Sequence, residues 1–504
     1  MQFIPKRHAM TGRSLSFSSP YFLGKGNRRP LALALALLAL LLSSPHLQAQ
    51  TDWNETLKAV ASDRGSRAYF GSSVAMDGNF AIVGAYNEGY FPAYASNGRG
   101  AAYFFERDVT TGNWSEVQKI VASDGERDDR FGWSVSISGN YAIVGADRHE
   151  LNASSRGRLY RAGAAYIFER NATTGKWSQV QKIVASDRGY SYYGDQFGWS
   201  VSISGDYAIV GARDQAAAGS VYLIERDIGG TWSEVQKITA SDKASSDYFS
   251  YSVSISGQTA IVGAYREDED DSRQNSKTYA GSAYLFERGV NGTWSEIQKI
   301  VASDRASYDE FGSSVSIKGN YAIVGAHNED EDASGNNNKT EAGSAYIFKR
   351  NSNGTWSEVQ KIVASDRASD DEFGYSVSIS GNYAIVGAFH EDEDANGNNT
   401  IGAAGSAYLF ERNANNTWSE VQKIVASDRA SNDYFGESVS ISGNYAIVGA
   451  YLEDEDASGQ NSKSRAGSAY LFERQPISQL VFDGSAWNSD PDNTTGALPA
   501  RVQS

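Results

Sequence analysis

Apolar and polar positions alternate with the period of strands along most of this chain. The stretch "GSSVSIKG" (312–319) sets Val315 and Ile317 among small polar residues and turns at Lys318-Gly319-Asn320. "YAIVGA" (321–326) is a nearly continuous apolar run, the pattern of a strand covered on both faces. "GSAYIFKR" (343–350) and "TWSEVQKIVA" (355–364) follow, rich in aromatic and β-branched residues. One unit therefore predicts four short antiparallel strands, A to D in chain order, with no room for a helix of ordinary length.

The unit recurs. Phe70, Phe131, Phe197, Phe249, Phe311, Phe373 and Phe435 open strand A, each followed by glycine except Phe249, which Ser250 follows. "IVGA" places its glycine at 84, 145, 211, 263, 325, 387 and 449, and Trp53, Trp114, Trp177, Trp232, Trp294, Trp356 and Trp418 mark strand D. Three markers each counting seven predict an all-β, seven-bladed β-propeller; an open solenoid or a row of small sheets is the rival. The ends favour the ring. The last unit stops after "AGSAYLFERQ" (466–475), and "DWNETLKAV" (52–60) is an orphan copy of the missing strand D. Pairing the orphan into the last blade removes both raw sheet edges.

"FGSSVSIKGNYAIVGA", with its paired Phe-Gly and Gly-Ala, and "AGSAYIF" after it resemble the FG-GAP repeat family, bacterial relatives of the integrin alpha-chain head. The resemblance spans residues 52–474 and implies a seven-bladed propeller with an extracellular role in adhesion or recognition. It implies no particular ligand. In integrin-type repeats a cation-binding loop joins the two signature strands. Here that link is a tight turn, such as Ser380-Gly381-Asn382 or Ser442-Gly443-Asn444, so the family's metal site does not carry over to that place.

Strand alternation sends loops A–B and C–D to one face and loops B–C and the D–A crossovers to the other. The first face collects short neutral turns, and the second collects acid. Loop B–C has sixteen residues in units two, four, five, six and seven, fourteen in unit one and six in unit three ("RDQAAA", 213–218). "EDED" occurs only in units four to seven. "DEDASGNNNKTE" (330–341) sets Asp330, Asp332, Ser334, Asn336 and Glu341 at the first, third, fifth, seventh and twelfth places of an EF-hand-like loop, with Gly335 at the sixth. Alternate oxygens around a glycine turn suit Ca2+. Asp392, Asp394 and Asn396 repeat the opening, as do Asp454, Asp456 and Ser458, but Ala403 and Arg465 hold the twelfth place. Asp268 and Asp270 open a fourth loop that lacks the glycine. A solvated acidic loop is the competing reading.

The other recurrent polar residues have plainer readings. Asp63, Asp124, Asp187, Asp242, Asp304, Asp366 and Asp428 follow serine in each crossover, as turn formers that bond nearby backbone would. Arg107, Arg170, Arg226, Arg288, Arg350, Arg412 and Arg474 end strand C, as exposed partners for glutamates beside them. The tryptophans read as packing between blades, and Trp133 and Trp199, just after Phe-Gly, as core filling or a ligand mark.

Composition narrows the classes. There is no cysteine, which excludes disulfides, thiolate metal sites and cysteine nucleophiles. Residues 1–49 read as a signal peptide: six basic and no acidic residues, the apolar run Leu31–Leu42, and Leu47 and Ala49 at the −3 and −1 places. An uncleaved anchor is the alternative. Without the leader, Lys plus Arg falls from 45 to 39 against 61 acids, so net charge moves from −16 to −22. Such a surface disfavours nucleic acid, and no further stretch predicts a membrane span. The propeller is then residues 50–474, and 475–504 leave the repeat as a tail or the start of a further module. Besides the leader's, the histidines are His149, His327 and His390, in loops without a recurrent partner. The expectation is a secreted or cell-surface, non-catalytic propeller that binds an extracellular protein or glycan through its acidic face. A lectin with sites repeated between blades, and a polysaccharide hydrolase or lyase, stand as alternatives.

Overall fold

The computed structural model describes residues 52–90, 98–150, 159–188, 194–272 and 275–475, with the backbone of 480–482 and 487–489. The leader lies outside the described residues. Seven four-stranded antiparallel sheets form seven blades, six of them in the order A-B-C-D. In blade 5 the strands are Ser314–Lys318, Tyr321–Ala326, Ser344–Arg350 and Trp356–Ile362. Strands B and C are almost wholly buried, which is why they read as continuous apolar runs, while strand D alternates.

The seventh blade is completed from the other end of the chain. Its order is Trp53–Ala59, Ser468–Arg474, Tyr445–Ala450, Ser438–Ser442. Trp53 faces Arg474 as Trp356 faces Arg350, and the register slips between Glu55 and Leu57 at the place where blade 5 slips between Glu358 and Gln360. The orphan strand thus copies strand D residue for residue.

Adjacent blades are held by repeated contacts. Trp177 stacks on Phe104 of the preceding blade with centroids 4.0 Å apart, and Trp53, Trp232, Trp294 and Trp418 meet Tyr383, Tyr141, Tyr207 and Tyr321 edge-on. Each such pair contributes about 0.5–1.5 kcal/mol beyond its buried area. Gln360 clamps the backbone of Trp418, donating to its carbonyl at 2.7 Å and accepting from its N–H at 2.9 Å. Gln422 does the same for Trp53, so blade 6 grips the closing strand. Five strand-C arginines pair with glutamates of the preceding blade, Arg107 with Glu473, Arg170 with Glu106, Arg288 with Glu225, Arg350 with Glu287 and Arg474 with Glu411, whereas Arg226 pairs with Asp206 of its own blade and Arg412 bonds the Tyr321 hydroxyl. The five are half-buried ties between blades. The exposed pairing with adjacent glutamates expected from sequence gives way because strand ends of neighbouring blades converge.

The two glycines of the signature have a steric cause. A Cβ on Gly325 would lie 2.0 Å from the carbonyl oxygen of Gly374 in the next blade. Gly374 itself has φ +99°, and its Cβ would lie 2.3 Å from the Ser344 carbonyl oxygen. Blade 4 is the exception, since Ser250 adopts φ 82° with a buried hydroxyl that lacks a partner among the described residues. In the tail, Leu480–Phe482 pairs with Trp487–Ser489.

Candidate functional site on the loop face

The four acidic B–C loops are built, not loose. Asp330 accepts the Glu341 N–H at 2.9 Å, and Asp392 and Asp268 accept those of Ala403 and Tyr279. Asp454 likewise caps Arg465. Asp332 accepts from Ser334 N and Oγ, Asn336 N and the Asn337 amide, and these bonds hold its carboxyl well below the usual range. Asp394, Asp456 and Asp270 accept from Asn396, Ser458 and Ser272 in the same manner. Ser334, Asn336, Asn396 and Ser458 therefore point donors into the turn, and Glu341 is exposed.

A second grip comes from the crossovers, and sequence reasoning missed it. Arg367 donates to the carbonyl oxygens of Asp330 and Asn337, at 2.8 and 3.2 Å. Arg64, Arg305 and Arg429 hold loops 7, 4 and 6 by the same two carbonyls. The signal was the arginine after each of these crossover aspartates.

The crossover aspartates are also more than turn formers. Asp304 accepts the Tyr346 hydroxyl at 2.8 Å and Lys361 Nζ at 2.7 Å, and Lys361 lies 2.7 Å from Glu329 of the loop. This node of Asp, Tyr hydroxyl and Lys recurs in all seven blades. The reading from sequence failed because the tyrosine and lysine lie far along the chain from the aspartate, 42 and 57 residues in the case of Asp304. The fourth member is Glu88, Glu267, Glu329, Glu391 or Glu453 in five blades, His149 in blade 2 and Gln215 in blade 3. In blades 4 to 7 Asp242, Asp304, Asp366 and Asp428 gather with Glu267/Glu269, Glu329/Glu331, Glu391/Glu393 and Glu453/Glu455, one oxygen from each within 4.8 Å. These groups could hold a metal ion, and they differ from the set expected from sequence. A second crossover aspartate lies close by. Burial, reinforced by the loop glutamate, pushes Asp247 and Asp309 up to about 6 and Asp371 and Asp433 up to about 7.

Nearer the axis the repeat breaks down. Strand A is innermost, and its serines bridge blades, as where Ser316 Oγ accepts the Ile379 N–H. They line a narrow cavity of 130 Å³. At the loop-face end of strand A three positions surround the axis: before Phe-Gly, after it, and after Gly-Ala. The first reads Tyr69, Arg130, Gln196, Tyr248, Glu310, Glu372, Tyr434; the second Ser72, Trp133, Trp199, Tyr251, Ser313, Tyr375, Glu437; the third Tyr86, Asp147, Arg213, Tyr265, His327, Phe389, Tyr451. The intervening motif hardly changes. Ring contacts run from Tyr265 through Tyr251, Trp199, Trp133, Tyr86, Tyr69, Tyr451, Tyr434, Phe389 and Tyr375 to His327, passing through all seven blades. Trp133 and Trp199 stand 4.9 Å apart and half-exposed, part of this platform.

Charge at the hub is one-sided. Arg213 lies 3.7 Å over Trp199 and Arg130 lies 4.6 Å over Trp133. Arg130 is 3.7 Å from the fully buried Asp147, whose carboxyl burial pushes up to about 6. Across the axis stand Glu310, Glu372 and Glu437. The histidines have no recurrent partner but each has an acid of its own: His149 Nδ1 lies 2.8 Å from Asp129, His390 Nδ1 3.0 Å from Glu372, and His327 Nε2 3.4 Å from Glu310. His327 Nδ1 is also 3.0 Å from Ser313 Oγ.

Among the described residues no helix is long and apolar enough to cross a membrane. No curated protein matches the chain. A crystal structure of a protein from Lactobacillus plantarum aligns at 13% identity over 71% of this chain and 85% of that chain, with a TM-score of 0.43 that bears no weight. The family model "FG-GAP repeat" matches residues 53–105, 114–168, 177–224, 232–286, 294–348, 356–410 and 418–472. With a matched segment in every blade of the ring, the chain belongs to the FG-GAP repeat family.

Proposed function

We propose that this propeller is an exported, non-catalytic recognition module that binds an extracellular protein or glycan through its loop face. The observation that carries this reading is the concentration of non-repeated side chains on that face: the three hub positions vary from blade to blade, while the A–B turns at the other end of the same strands are near-identical. Repeat scaffolds place recognition in such positions. The leader in residues 1–49 supports export, and its removal is checked by the mass of the secreted chain, which should begin at Gln50.

Calcium enters this reading as a weak modulator of the rim. The carboxylates around Asp304 suit a hard cation, but the ion must displace or share the Lys361 ammonium that already neutralises two of them. Binding of the mature chain to the exterior of the producing cell is the direct test. Changing Trp133 and Tyr375 together to alanine should abolish it, and undiminished binding by that variant would reject the loop face. On a glycan array, several saturable sugar sites per chain would support the lectin alternative.

A hydrolase reading has one specific support, the order Ser313–His327–Glu310. Against it, Ser313 is only 7% exposed. Polysaccharide or ester turnover lost in Ser313→Ala would establish it.

A further inference from the structure

A cavity of 560 Å³ lies between the crossover into blade 7 and that blade's acidic loop. Asp433 and Tyr434 line it from the crossover, and Leu452, Glu453, Asp454 and Glu455 line it from the loop. The corresponding place in blade 2 is also hollow, at 350 Å³, with Asp129 and Glu150 where blade 7 has Asp433 and Asp454. The repeat builds the recess, and the lining sets what it takes. In blade 2, Arg127 and Arg148 stand in place of Ser431 and Leu452, so that recess brings its own cations. The recess of blade 7 is rich in acceptors.

Asp433 is 5% exposed. Its Oδ2 accepts the Ala430 N–H at 2.7 Å, whereas its Oδ1 has no hydrogen-bond partner among the described residues and stays open to the cavity it lines. A buried carboxyl oxygen left unpaired is costly, and a cation beside it recovers that cost. Asp454 uses Oδ1 on the Arg465 N–H at 2.5 Å, and the Glu455 carboxylate receives no hydrogen bond among the described residues. Glu453 is already engaged, with Lys58 at 3.0 Å and the Ser468 hydroxyl donating at 2.6 Å. Lys58 and Arg465 offset two of the four lining acids, which leaves two charges open. A bare divalent ion needs six to eight oxygens gathered around it. The close set here is Asp428, Glu453 and Glu455, and neither Asp433 nor Asp454 belongs to it. Acceptors on two walls, beside an aromatic ring and a leucine, suit a ligand charged at both ends and apolar between. We infer that this cavity binds an aliphatic diamine or polyamine, with one ammonium on Asp433 against the Tyr434 ring, another on Asp454 and Glu455, and the methylene chain along Leu452. The site goes beyond the recognition reading and does not depend on it, because a small diamine binds whether or not a macromolecule covers the loop face.

The experiment is titration calorimetry of the mature chain with 1,4-diaminobutane and spermidine, and with butylamine as the singly charged comparator, at matched ionic strength. One saturable site per chain is expected for the diamine and spermidine, about tenfold or more tighter than for butylamine. Asp433→Asn, shown to be folded by circular dichroism, should weaken binding about tenfold. Ser431→Arg changes an exposed residue to the type that blade 2 carries at Arg127, leaves every carboxylate in place and should abolish binding. Asp371→Asn, at the equally buried aspartate of the preceding crossover, should leave it unchanged. Burial, with Glu453 and Asp428 adding to it and the Ala430 N–H and Lys58 opposing it, pushes Asp433 up to about 7. A bound ammonium favours its ionised form, so binding should tighten about tenfold from pH 6 to pH 8, and this dependence should vanish in Asp433→Asn. No saturable heat, several equivalent sites per chain, equal affinity for butylamine, undiminished binding by Ser431→Arg, or an equal loss in Asp371→Asn overturns the proposal.

Discussion

The rim and the hub of this propeller are built from the same repeat and obey opposite rules. At the rim, Asp, Tyr and Lys recur in seven nodes, and each lysine reaches the crossover of the preceding blade, as Lys361 reaches Asp304. At the hub, equivalent positions hold tryptophan, tyrosine, serine and glutamate in turn. Identity at the rim serves closure, since every seam must meet the same geometry for the ring to shut. Variation at the hub produces one asymmetric surface, which a symmetric scaffold otherwise lacks.

The sharpest way to break the rim is to open the ring. Deleting residues 50–60 removes Trp53, the partner strand of Ser468–Arg474 and Lys58, which pairs with Asp428 and Glu453. The loss should exceed the about 3–5 kcal/mol that truncating one buried tryptophan costs. An unchanged thermal transition after this deletion would disprove closure as the source of stability.

Breaking one node is the next largest effect. Lys361→Met leaves Asp304 and Glu329 facing each other with their cation gone, at an expected cost of about 3 kcal/mol in denaturant unfolding. The same variant should bind calcium more tightly than the wild type by calorimetry, because the ion no longer competes with an ammonium. Equal calcium affinity in the two proteins would show that the node carboxylates are not the metal ligands.

Protonation sharpens the comparison further. Asp247, Asp309, Asp371 and Asp433 are raised to about 6 or 7 when folded, against roughly 3.9 for a free aspartate. The folded chain then holds protons that the unfolded chain releases. Their stabilising contribution is complete below about pH 4 and is lost as pH rises through 6 to 7. The melting temperature should therefore fall from pH 5 to pH 8, by on the order of 5 °C. Changing Asp371 and Asp433 to asparagine should flatten that slope, and an equally steep profile in this variant would remove these groups as its cause.

The smallest expected effect repairs the one irregular signature. Ser250 stands at φ 82° where five of the other six blades have a positive-φ glycine above 90° and the sixth has one at 89°. Ser250→Gly should gain about 1 kcal/mol, read as a shift in denaturant midpoint. A loss would mean that the serine makes a contact worth more than its strain.

Sequence by itself determined the number of blades, the four strands of each and the closing strand. Those features depend on local periodicity and on markers repeated often enough to count. The acidic loops were also legible as a rim, but their internal bonding was not. The EF-hand-like spacing of Asp330, Asp332 and Glu341 gave no hint that Asp332 spends its oxygens on its own turn. Only the tertiary structure decided what meets across a seam. Lys361 and Asp304 lie 57 residues apart, on a strand and a crossover, and Tyr346 joins them from a second strand. The hub illustrates the same limit more strongly. Tyr265 and His327 are ends of one run of ring contacts through seven blades, yet each looks in sequence like an ordinary substitution after Gly-Ala. Short-range pattern fixes which face a side chain takes, but the partners at an axis where seven blades converge are set by closure of the whole ring.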